Sequence, residues 1–401
     1  MHTFRSGIVS RTARTLGPMV VHSMRAFLRE EPAGPGASRY VSSPSGRPGD
    51  LVHTRPVRAV GLRRRESATQ LEYLTETSRG QLLSATGALF HCGQPNAPLI
   101  GFAPSTQGVA RHCDPSYTST VGLRQAGADD LIAAYEQPAI NWLLDAGADV
   151  VVIDYPRDPK SGIQLYCDHQ SGALALRDAI TAARTLGCRG VLGLWGFSQG
   201  GATVAAYLED VDRDGKYPTA AVVGAPPIRL DDVLDHVDGS LATGVIAYTL
   251  AGLMVSSPKI RAEIVGVLTD DGLAELTENL TTCTAGSLLT SGWRRTNRWS
   301  TTGQSLGELA DLLPATRAEI LRRVVGEKPE NQPSCPVRLW GSRNDDIVPF
   351  NQAAELARKW PTTEFVERTG PRLPGRTGLG HFGPYFYHLA EDASWLLGKL
   401  R

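Results

Sequence analysis

The sequence predicts an α/β fold with a mostly parallel sheet and a large helical insertion, on three observations. Short continuous apolar runs, typical of strands that are buried on both faces of a parallel sheet, alternate with helical patterns. This alternation stops between residues 228 and 334, where the chain is helical and poor in strands. It resumes afterwards. Because an interruption of about a hundred residues is far longer than an ordinary connection, it predicts a cap that packs as a subdomain.

The elements before the insertion follow from local patterns. Segments 68–77 and 82–90 are two β-like runs with a short connection, which predicts an antiparallel pair. Residues 130–147 have apolar spacing that predicts a helix. The remaining strands are predicted at 97–104, 149–156, 190–198, 220–227, 335–341 and 363–368. The remaining core helices are predicted at 172–187, 200–211, 351–360 and 385–400.

The predicted division of the chain has four parts. An N-terminal arm over 1–45 precedes the first part of the core, 46–227. The cap spans 228–334, and the second part of the core spans 335–401. The arm is basic, but it lacks the continuous apolar stretch and the cleavage site of a secretory signal. The sequence therefore leaves the location open, with a cytoplasmic location among the alternatives.

The composition and the absence of several motifs exclude some classes of protein. The formal net charge of the 401 residues is zero at pH 7, so nothing global directs the chain to nucleic acid or acidic lipid. No apolar run reaches the length of about 18 residues that a membrane span needs. The sequence has no phosphate loop, dinucleotide fingerprint or HExxH motif, which predicts no cofactor. Its six cysteines form no C-x-x-C pair, so we expect no metal site.

A G-x-S-x-G pattern occurs twice, at Gly196–Gly200 and at Gly303–Gly307. This pattern carries a nucleophilic serine where a buried strand turns sharply into a helix, because the turn exposes the hydroxyl. Ser198 has an apolar strand before it and a helix after it, so we predict it to be the nucleophile. Ser305 follows a polar segment inside the insertion. We expect it, or a nearby threonine, to cap the next helix.

An acid and then a histidine should follow the nucleophile along the chain. Of the two histidines beyond the insertion, His381 lies in a glycine-rich loop before the last helix, whereas His388 lies within that helix. A catalytic base belongs on a loop over the strand ends, which favours His381. Asp345 and Asp346 follow a late strand, and only one of two adjacent aspartates can face the imidazole. We predict Asp345 and keep Asp346 as the alternative.

Two backbone N–H groups should stabilise the negative charge that develops on the substrate oxygen. One is expected from Gln199, the residue after the nucleophile. The other should come from the loop after an early strand, and the segment 101–113 fits, with Thr106, Gln107 and Gly108 at its turn. The alternative for this segment is an ordinary turn with no catalytic role.

Four segments, RPGDLVHTRPV, TQGVARHCDPSY, WGFSQGG and GSRNDDIVP, together with the helical insertion, resemble the secretory lipase family of fungal lipase A and its actinobacterial relatives. The resemblance covers about residues 40–401 and implies an α/β-hydrolase fold. It implies that the backbone N–H of Gln107 is the second oxyanion donor and that Cys113 and Cys283 form a disulfide. The family's second disulfide, near the C-terminus, has no counterpart here.

These residues together predict a serine carboxylic-ester hydrolase, a lipase or esterase, with Ser198, His381 and Asp345 as its triad. The substrate would be a small-molecule or lipid ester with an apolar acyl or alcohol part. An acyltransferase with the same triad is the first alternative, and a non-catalytic binding protein with the same fold is the second. The oligomeric state is not predicted.

The apolar cap segment 241–255 is expected to be a helix that is buried on more than one side and lines an acyl site. Bulk introduced at Ala247 or Ala251 would shorten the preferred acyl chain if that face lines the site.

Overall fold

A computed structural model describes residues 44–126, 130–211, 217–328 and 331–401. The predicted N-terminal arm lies outside the described residues, apart from its last two positions. Numbered in chain order, the strands are β1 (Leu51–Val57), β2 (Ser67–Glu76), β3 (Leu82–His91), β4 (Leu99–Ala103), β5 (Leu123–Ala126), β6 (Asp130–Ala133), β7 (Asp149–Ile153), β8 (Leu192–Phe197), β9 (Ala220–Gly224), β10 (Val337–Ser342) and β11 (Glu364–Arg368).

Within the described residues, nine of these strands form one sheet in the order β1-β2-β3-β7-β4-β8-β9-β10-β11. The pairs β1–β2, β2–β3 and β3–β7 are antiparallel, and every pair from β7 to β11 is parallel. The mostly parallel sheet and the antiparallel pair of β2 and β3 are therefore confirmed. The carboxyl ends of the parallel strands meet at one edge, where ligand sites of such sheets lie.

The helices, again in chain order, are α1 (Pro115–Val121), α2 (Gln137–Asp145), α3 (His169–Thr185), α4 (Gln199–Ala206), α5 (Leu230–Val237), α6 (Gly244–Met254), α7 (Pro258–Val267), α8 (Asp270–Asn279), α9 (Thr284–Thr290), α10 (Leu306–Leu312), α11 (Pro314–Arg322), α12 (Phe350–Lys359) and α13 (Leu379–Lys399). None of the helices described is both long and apolar enough to cross a membrane.

Helices cover both faces of the sheet. Successive side chains of a strand point to opposite faces of the sheet, and the side chains of β7 alternate in this way. Its Val151 and Ile153 pack into the apolar cluster that contains residues of α3 and α4. Its Val150 and Val152 pack into the cluster that contains residues of α2 and α13. The continuous apolar run of β7 reflects burial on both sides.

One predicted helix is partly wrong. Of the segment 130–147, only α2 is helical, and β6 pairs with β5 in an antiparallel ladder that joins Leu123 to Ala133 and Arg124 to Ile132. The apolar spacing fits either structure over four residues. Pro138 in the first turn of α2 has no N–H to lose there, which suits a helix that begins at Gln137.

The cap is inserted between two neighbouring parallel strands. Helices α5 to α11 lie between β9 and β10 in the chain, while β9 and β10 pair directly in the sheet. The cap helices share an apolar cluster, which includes Ile246, Leu253 and Ile264 and extends to Tyr166 and Ile347 outside the cap. The helical insertion between late strands is thus confirmed, and its limits at 228 and 334 remain predictions.

Candidate active site

Ser198 occupies a sharp turn between β8 and α4. Its backbone has φ +56° and ψ −123°, a conformation that few residues other than glycine adopt. A Cβ atom on Gly200 would collide with the backbone carbonyl of Ala103, the last residue of β4. Glycine therefore allows the beginning of α4 to lie directly against the strand that leads into the neighbouring loop. The turn presents the serine hydroxyl at the carboxyl edge of the sheet.

Ser305 has a different role. It is the N-cap of α10: its Oγ accepts a hydrogen bond from the Glu308 N–H, and the Glu308 carboxylate accepts one from the Ser305 N–H. This reciprocal pair satisfies two donors that a helix start leaves without partners. The expectation that Ser305 caps a helix is confirmed.

His381 lies in the first turn of α13 and not in a loop before the last helix, so that expectation is wrong. The helix begins at Leu379, six residues earlier than the prediction. The sequence conceals this start because Pro384, normally a helix breaker, lies inside the helix. A Cβ atom on Gly380 would collide with the carbonyl of Asn344. Close packing at Gly380 thus brings the histidine next to the loop that follows β10.

Two adjacent aspartates on that loop make different contacts. Asp345 Oδ2 lies 2.6 Å from His381 Nδ1, and Asp345 Oδ1 accepts hydrogen bonds from the N–H groups of Ile347 and Val348 at 2.9 and 2.8 Å. Asp346 instead accepts a hydrogen bond from the backbone N–H of Gly378 at 2.8 Å. The two backbone N–H groups therefore fix the Asp345 carboxylate. A fixed carboxylate can hold the imidazole of His381 in one orientation and one tautomer.

The imidazole of His381 is buried against aromatic rings. Its ring centroid lies 4.6 Å from that of Phe197, and Phe197 stacks on Tyr385 at 4.2 Å with an interplanar angle of 5°. With Nδ1 facing Asp345, the other ring nitrogen, Nε2, is buried and has no hydrogen-bond partner among the described residues. A nitrogen in this position can accept a proton from a group that enters the same space. His388, the alternative base, instead contacts Glu391 on the helix surface.

The loop 104–108, termed here the oxyanion loop, is held from the core side by buried polar groups. The Glu136 carboxylate accepts hydrogen bonds from the Ser105 N–H and the Tyr385 hydroxyl, each at 2.8 Å. Burial raises the pKa of Glu136, and these two contacts oppose the rise. The Tyr155 hydroxyl donates to the Pro104 carbonyl at 2.6 Å. Sequence reasoning missed Glu136, because nothing local relates it to a loop thirty residues away.

The cap holds the same loop from the other side. The Thr284 N–H, at the beginning of α9, donates to the Gln107 carbonyl at 3.0 Å. A disulfide joins Cys113 to Cys283 with 5.3 Å between their Cα atoms, and Cys283 forms a β-bridge with Gly108. The two cysteines that the family resemblance pairs are thus bonded here.

The two expected oxyanion donors lie on the neighbouring backbone segments. Gln199 is the first residue of α4, so its N–H has no acceptor within the helix. Gln107 belongs to the oxyanion loop, and its side-chain amide donates to the Ser105 carbonyl at 3.2 Å. The sequence predicts neither of two further contacts. The hydroxyl of the core residue Tyr166 lies 2.7 Å from the Thr106 hydroxyl, and Nε2 of the cap residue His236 lies 3.0 Å from the Asp345 carbonyl oxygen.

Ser198, Gln199 and His381 line a narrow cavity of about 40 Å³ beneath the cap. A water molecule in the liquid occupies about 30 Å³, and pockets for small-molecule ligands measure about 300–1,000 Å³. A ligand of that size would therefore have to displace part of the cap. The apolar cavity wall includes Leu230, Val233, Ala242, Val245, Leu288, Ile347, Val348 and Phe382.

One face of α6 meets this cavity, and this face does not include Ala247 or Ala251. Val245 and Thr249 line the cavity, whereas Ala247 and Ala251 are buried in the cap core. Residues two positions apart on a helix point in nearly opposite directions. The helix is therefore buried on two sides, as predicted.

The parallel sheet, the helical insertion and the sharp strand-to-helix turn at its carboxyl edge define an α/β-hydrolase. The family model of the secretory lipases matches residues 124–396, and the chain belongs to that family. Among its relatives, the secreted triacylglycerol lipase LIP3 of Malassezia restricta is 26% identical over 262 residues, which cover 62% of this chain and 53% of that protein. The chain thus spans about half the length of this relative.

Other similar proteins include one called inactive and one of known structure. A probable inactive lipase of Mycobacterium tuberculosis is 27% identical over 54% of this chain and 50% of its own length. The closed state of Candida antarctica lipase A superposes with a TM-score of 0.68 at 18% identity and covers 86% of this chain and 83% of that one. At this level of sequence identity, the structural similarity shows a shared fold only.

Proposed function

We propose that this chain hydrolyses carboxylic esters through an acyl intermediate on Ser198. The observation that carries the proposal is the Asp345–His381 contact of 2.6 Å, which leaves the unpartnered Nε2 of His381 lining the same cavity as Ser198. A serine hydroxyl is a weak nucleophile until a base removes its proton. Membership in the secretory lipase family supports the same chemistry.

In the proposed reaction His381 takes the Ser198 proton as Oγ attacks the ester carbonyl carbon. The carbonyl oxygen becomes an anion, and the N–H groups of Gln107 and Gln199 donate to it. His381 then gives its proton to the leaving alcohol, and the acyl group remains on Ser198. Water, deprotonated by His381, attacks the acyl-serine; the bond from the acyl carbon to Ser198 Oγ breaks, the acid leaves, and His381 returns the proton to Oγ. Asp345 keeps the imidazole oriented and stabilises its charged form in both steps.

The lining supports an ester with an apolar acyl or alcohol part. The cavity wall consists mostly of aliphatic side chains, and each methylene that a substrate buries there contributes about 0.8 kcal/mol. Because the cavity is much smaller than an ester, part of this binding energy would offset the cost of displacing the cap. We therefore expect esters with medium or long acyl chains to exceed acetyl esters in kcat/KM.

A fluorophosphonate probe tests the nucleophile directly, since it forms a covalent adduct only with an activated hydroxyl. We expect stoichiometric labelling of the wild type and of Ser305→Ala, and no labelling of Ser198→Ala. Ester turnover in Ser198→Ala should fall by about 10⁴-fold or more. Labelling that persists in Ser198→Ala would overturn the assignment, and an unlabelled wild type would favour the non-catalytic alternative.

The acyltransferase alternative needs a separate measurement. The enzyme is given an ester with and without a competing alcohol, and both free acid and transferred ester are quantified. Free acid as the main product at low alcohol concentration supports hydrolysis. Transfer that dominates under the same conditions would show that the site excludes water from the acyl-serine.

A further inference from the structure

Three side chains of metal-ligating type meet at the end of the sheet opposite Ser198. His91 is the last residue of β3, Asp149 is the first residue of β7, and Cys188 lies in the loop before β8. Ser198 follows the carboxyl end of β8, whereas this cluster lies beside the amino ends of β7 and β8. The cluster therefore belongs to no part of the proposed hydrolase site.

The three ligand atoms make long contacts with one another. His91 Nδ1 lies 3.4 Å from Asp149 Oδ2, and Cys188 Sγ lies 3.8 Å from that nitrogen and 3.5 Å from that oxygen. Good N–H···O hydrogen bonds measure about 2.7–3.2 Å. The other histidine–carboxylate pairs of the described chain are closer, at 2.6 Å for His381–Asp345, 2.7 Å for His112–Asp130 and 2.9 Å for His388–Glu391.

The same distances suit three corners of a tetrahedron. Zinc binds nitrogen and oxygen at about 2.0–2.2 Å and thiolate sulfur at about 2.3 Å, so tetrahedral angles separate neighbouring ligand atoms by about 3.3–3.6 Å. The observed separations of 3.4, 3.5 and 3.8 Å lie at or near that range. An atom that contacts all three groups would therefore fit at the centre without a change of backbone.

We propose that His91 Nδ1, Asp149 Oδ2 and Cys188 Sγ bind a zinc ion, with a solvent molecule as the fourth ligand. A set of one imidazole, one carboxylate and one thiolate suits zinc, whereas Mg²⁺ and Ca²⁺ prefer oxygen ligands only. The His91 side chain is 31% exposed, which gives the ion and its water a route from solvent. On binding, the Cys188 thiol releases its proton to water.

Backbone contacts hold two of the three ligands in position. The Cys92 N–H donates to Asp149 Oδ1 at 2.9 Å, so Oδ2 stays turned toward the cluster. The Arg184 guanidinium donates to the Cys188 carbonyl at 2.7 Å and anchors its loop. Such outer contacts orient metal ligands. The ion would then cross-link three separate chain segments.

The test uses the full-length protein, stripped of metal with a chelator under anaerobic conditions and then given zinc chloride. We expect one zinc per chain by elemental analysis after desalting and a raised thermal midpoint. Affinity should fall at least tenfold in His91→Gln and in Cys188→Ser. His91→Gln alters a partly exposed residue, so it still tests zinc binding if Cys188→Ser folds poorly. The controls are His388→Gln and Cys335→Ser, which remove a histidine and a thiol elsewhere and should bind zinc like the wild type.

Cobalt gives a second readout, because a thiolate ligand produces a charge-transfer absorption band that should be absent in Cys188→Ser. No zinc uptake by the wild type, or unchanged uptake in both cluster variants, would overturn the proposal. Ester hydrolysis is not needed for any of these measurements, so they stand apart from the hydrolase proposal.

Discussion

The Thr284 hydroxyl donates a hydrogen bond to the backbone carbonyl oxygen of Thr106 at 3.0 Å, across a separation of 178 residues. Thr284 belongs to the cap and Thr106 to the oxyanion loop, so the cap takes part in holding the loop that carries an expected oxyanion donor. Fine positioning of such donors matters, because removing one lowers kcat by about 10²–10³.

Thr284→Val should therefore lower kcat for a short ester by about tenfold, a smaller loss than removal of a donor. KM should be measured as well, because Thr284 itself lines the cavity. Thr290→Val is the matched control: it is on the same helix, and the Thr290 Oγ1 has no hydrogen-bond partner among the described residues. Equal kcat losses in the two variants would show that the Thr284–Thr106 bond does not position the loop.

Substitutions of the two adjacent aspartates should have clearly different effects on kcat. Asp345→Asn should reduce kcat by about 10³–10⁴, since the imidazole loses the partner that sets its tautomer and stabilises its charge. Asp346→Asn keeps an oxygen that can accept from the Gly378 N–H, so it should retain most of the activity. Steady-state kinetics on both variants checks this, and the reverse order of effects would make Asp346 the acid.

His169 should affect how folding stability depends on pH. Burial lowers the pKa of this histidine from 6.5 to about 4. Between these two values the unfolded chain binds a proton that the folded chain does not, so the free energy of unfolding falls as pH falls from 6.5 to 4. Above pH 6.5 the residue is neutral in both states and contributes no pH dependence.

Urea unfolding of wild type and His169→Gln at a series of pH values measures this contribution. The variant should lose less stability between pH 6.5 and 4, by at most about 3 kcal/mol. Parallel curves for His169→Gln and wild type would mean that the folded protein accommodates the charged imidazole.

The cavity face of α6 should set the preferred acyl chain. Val245→Trp fills space that an acyl chain would occupy, so kcat/KM should fall for long-chain esters and change little for acetyl esters. Val265→Trp, at a position on α7 that is 39% exposed, controls for bulk on the cap. A panel of esters with graded chain length measures the effect, and equal losses at all lengths would place the acyl site elsewhere.

The Cys113–Cys283 disulfide should contribute to stability because it closes a loop with a sequence separation of 170. In the chain-entropy model a loop of this size corresponds to about 5 kcal/mol. The double variant Cys113→Ser/Cys283→Ser should therefore have a thermal midpoint lower by several degrees, and reductant should lower the wild-type midpoint but not that of the variant. Cys335→Ser serves as the control for the loss of a buried thiol.

Local sequence patterns predicted what depends on local structure. The apolar run of β8 and the small residues after it identified the turn at Ser198, because both requirements lie within ten residues. The predicted start of α13 is too late because Pro384 is a residue that normally interrupts a helix. In the structure the helix already begins at Leu379, where Gly380 packs tightly against the loop after β10. The prediction of a helix over β6 is wrong because apolar spacing over four residues fits a strand as well as a helix.

Contacts across the fold were beyond such patterns. Glu136 and Thr284 support the oxyanion loop from positions that no spacing rule connects with Gln107. His91, Asp149 and Cys188 likewise come from three segments, so the lack of a C-x-x-C pair, from which we expected no metal site, does not bear on a cluster of this kind.

The disulfide also restricts how an ester could reach Ser198. Since Cys283 immediately precedes α9 and is bonded to the core next to the oxyanion loop, this end of the cap cannot separate from the core without breaking a covalent bond. The amino end of α9 acts as a pivot, and the travel available to any part of the cap grows with its distance from that point. Entry to the cavity is therefore expected where α5 and α6 form its wall, with the oxyanion loop remaining assembled throughout the cycle.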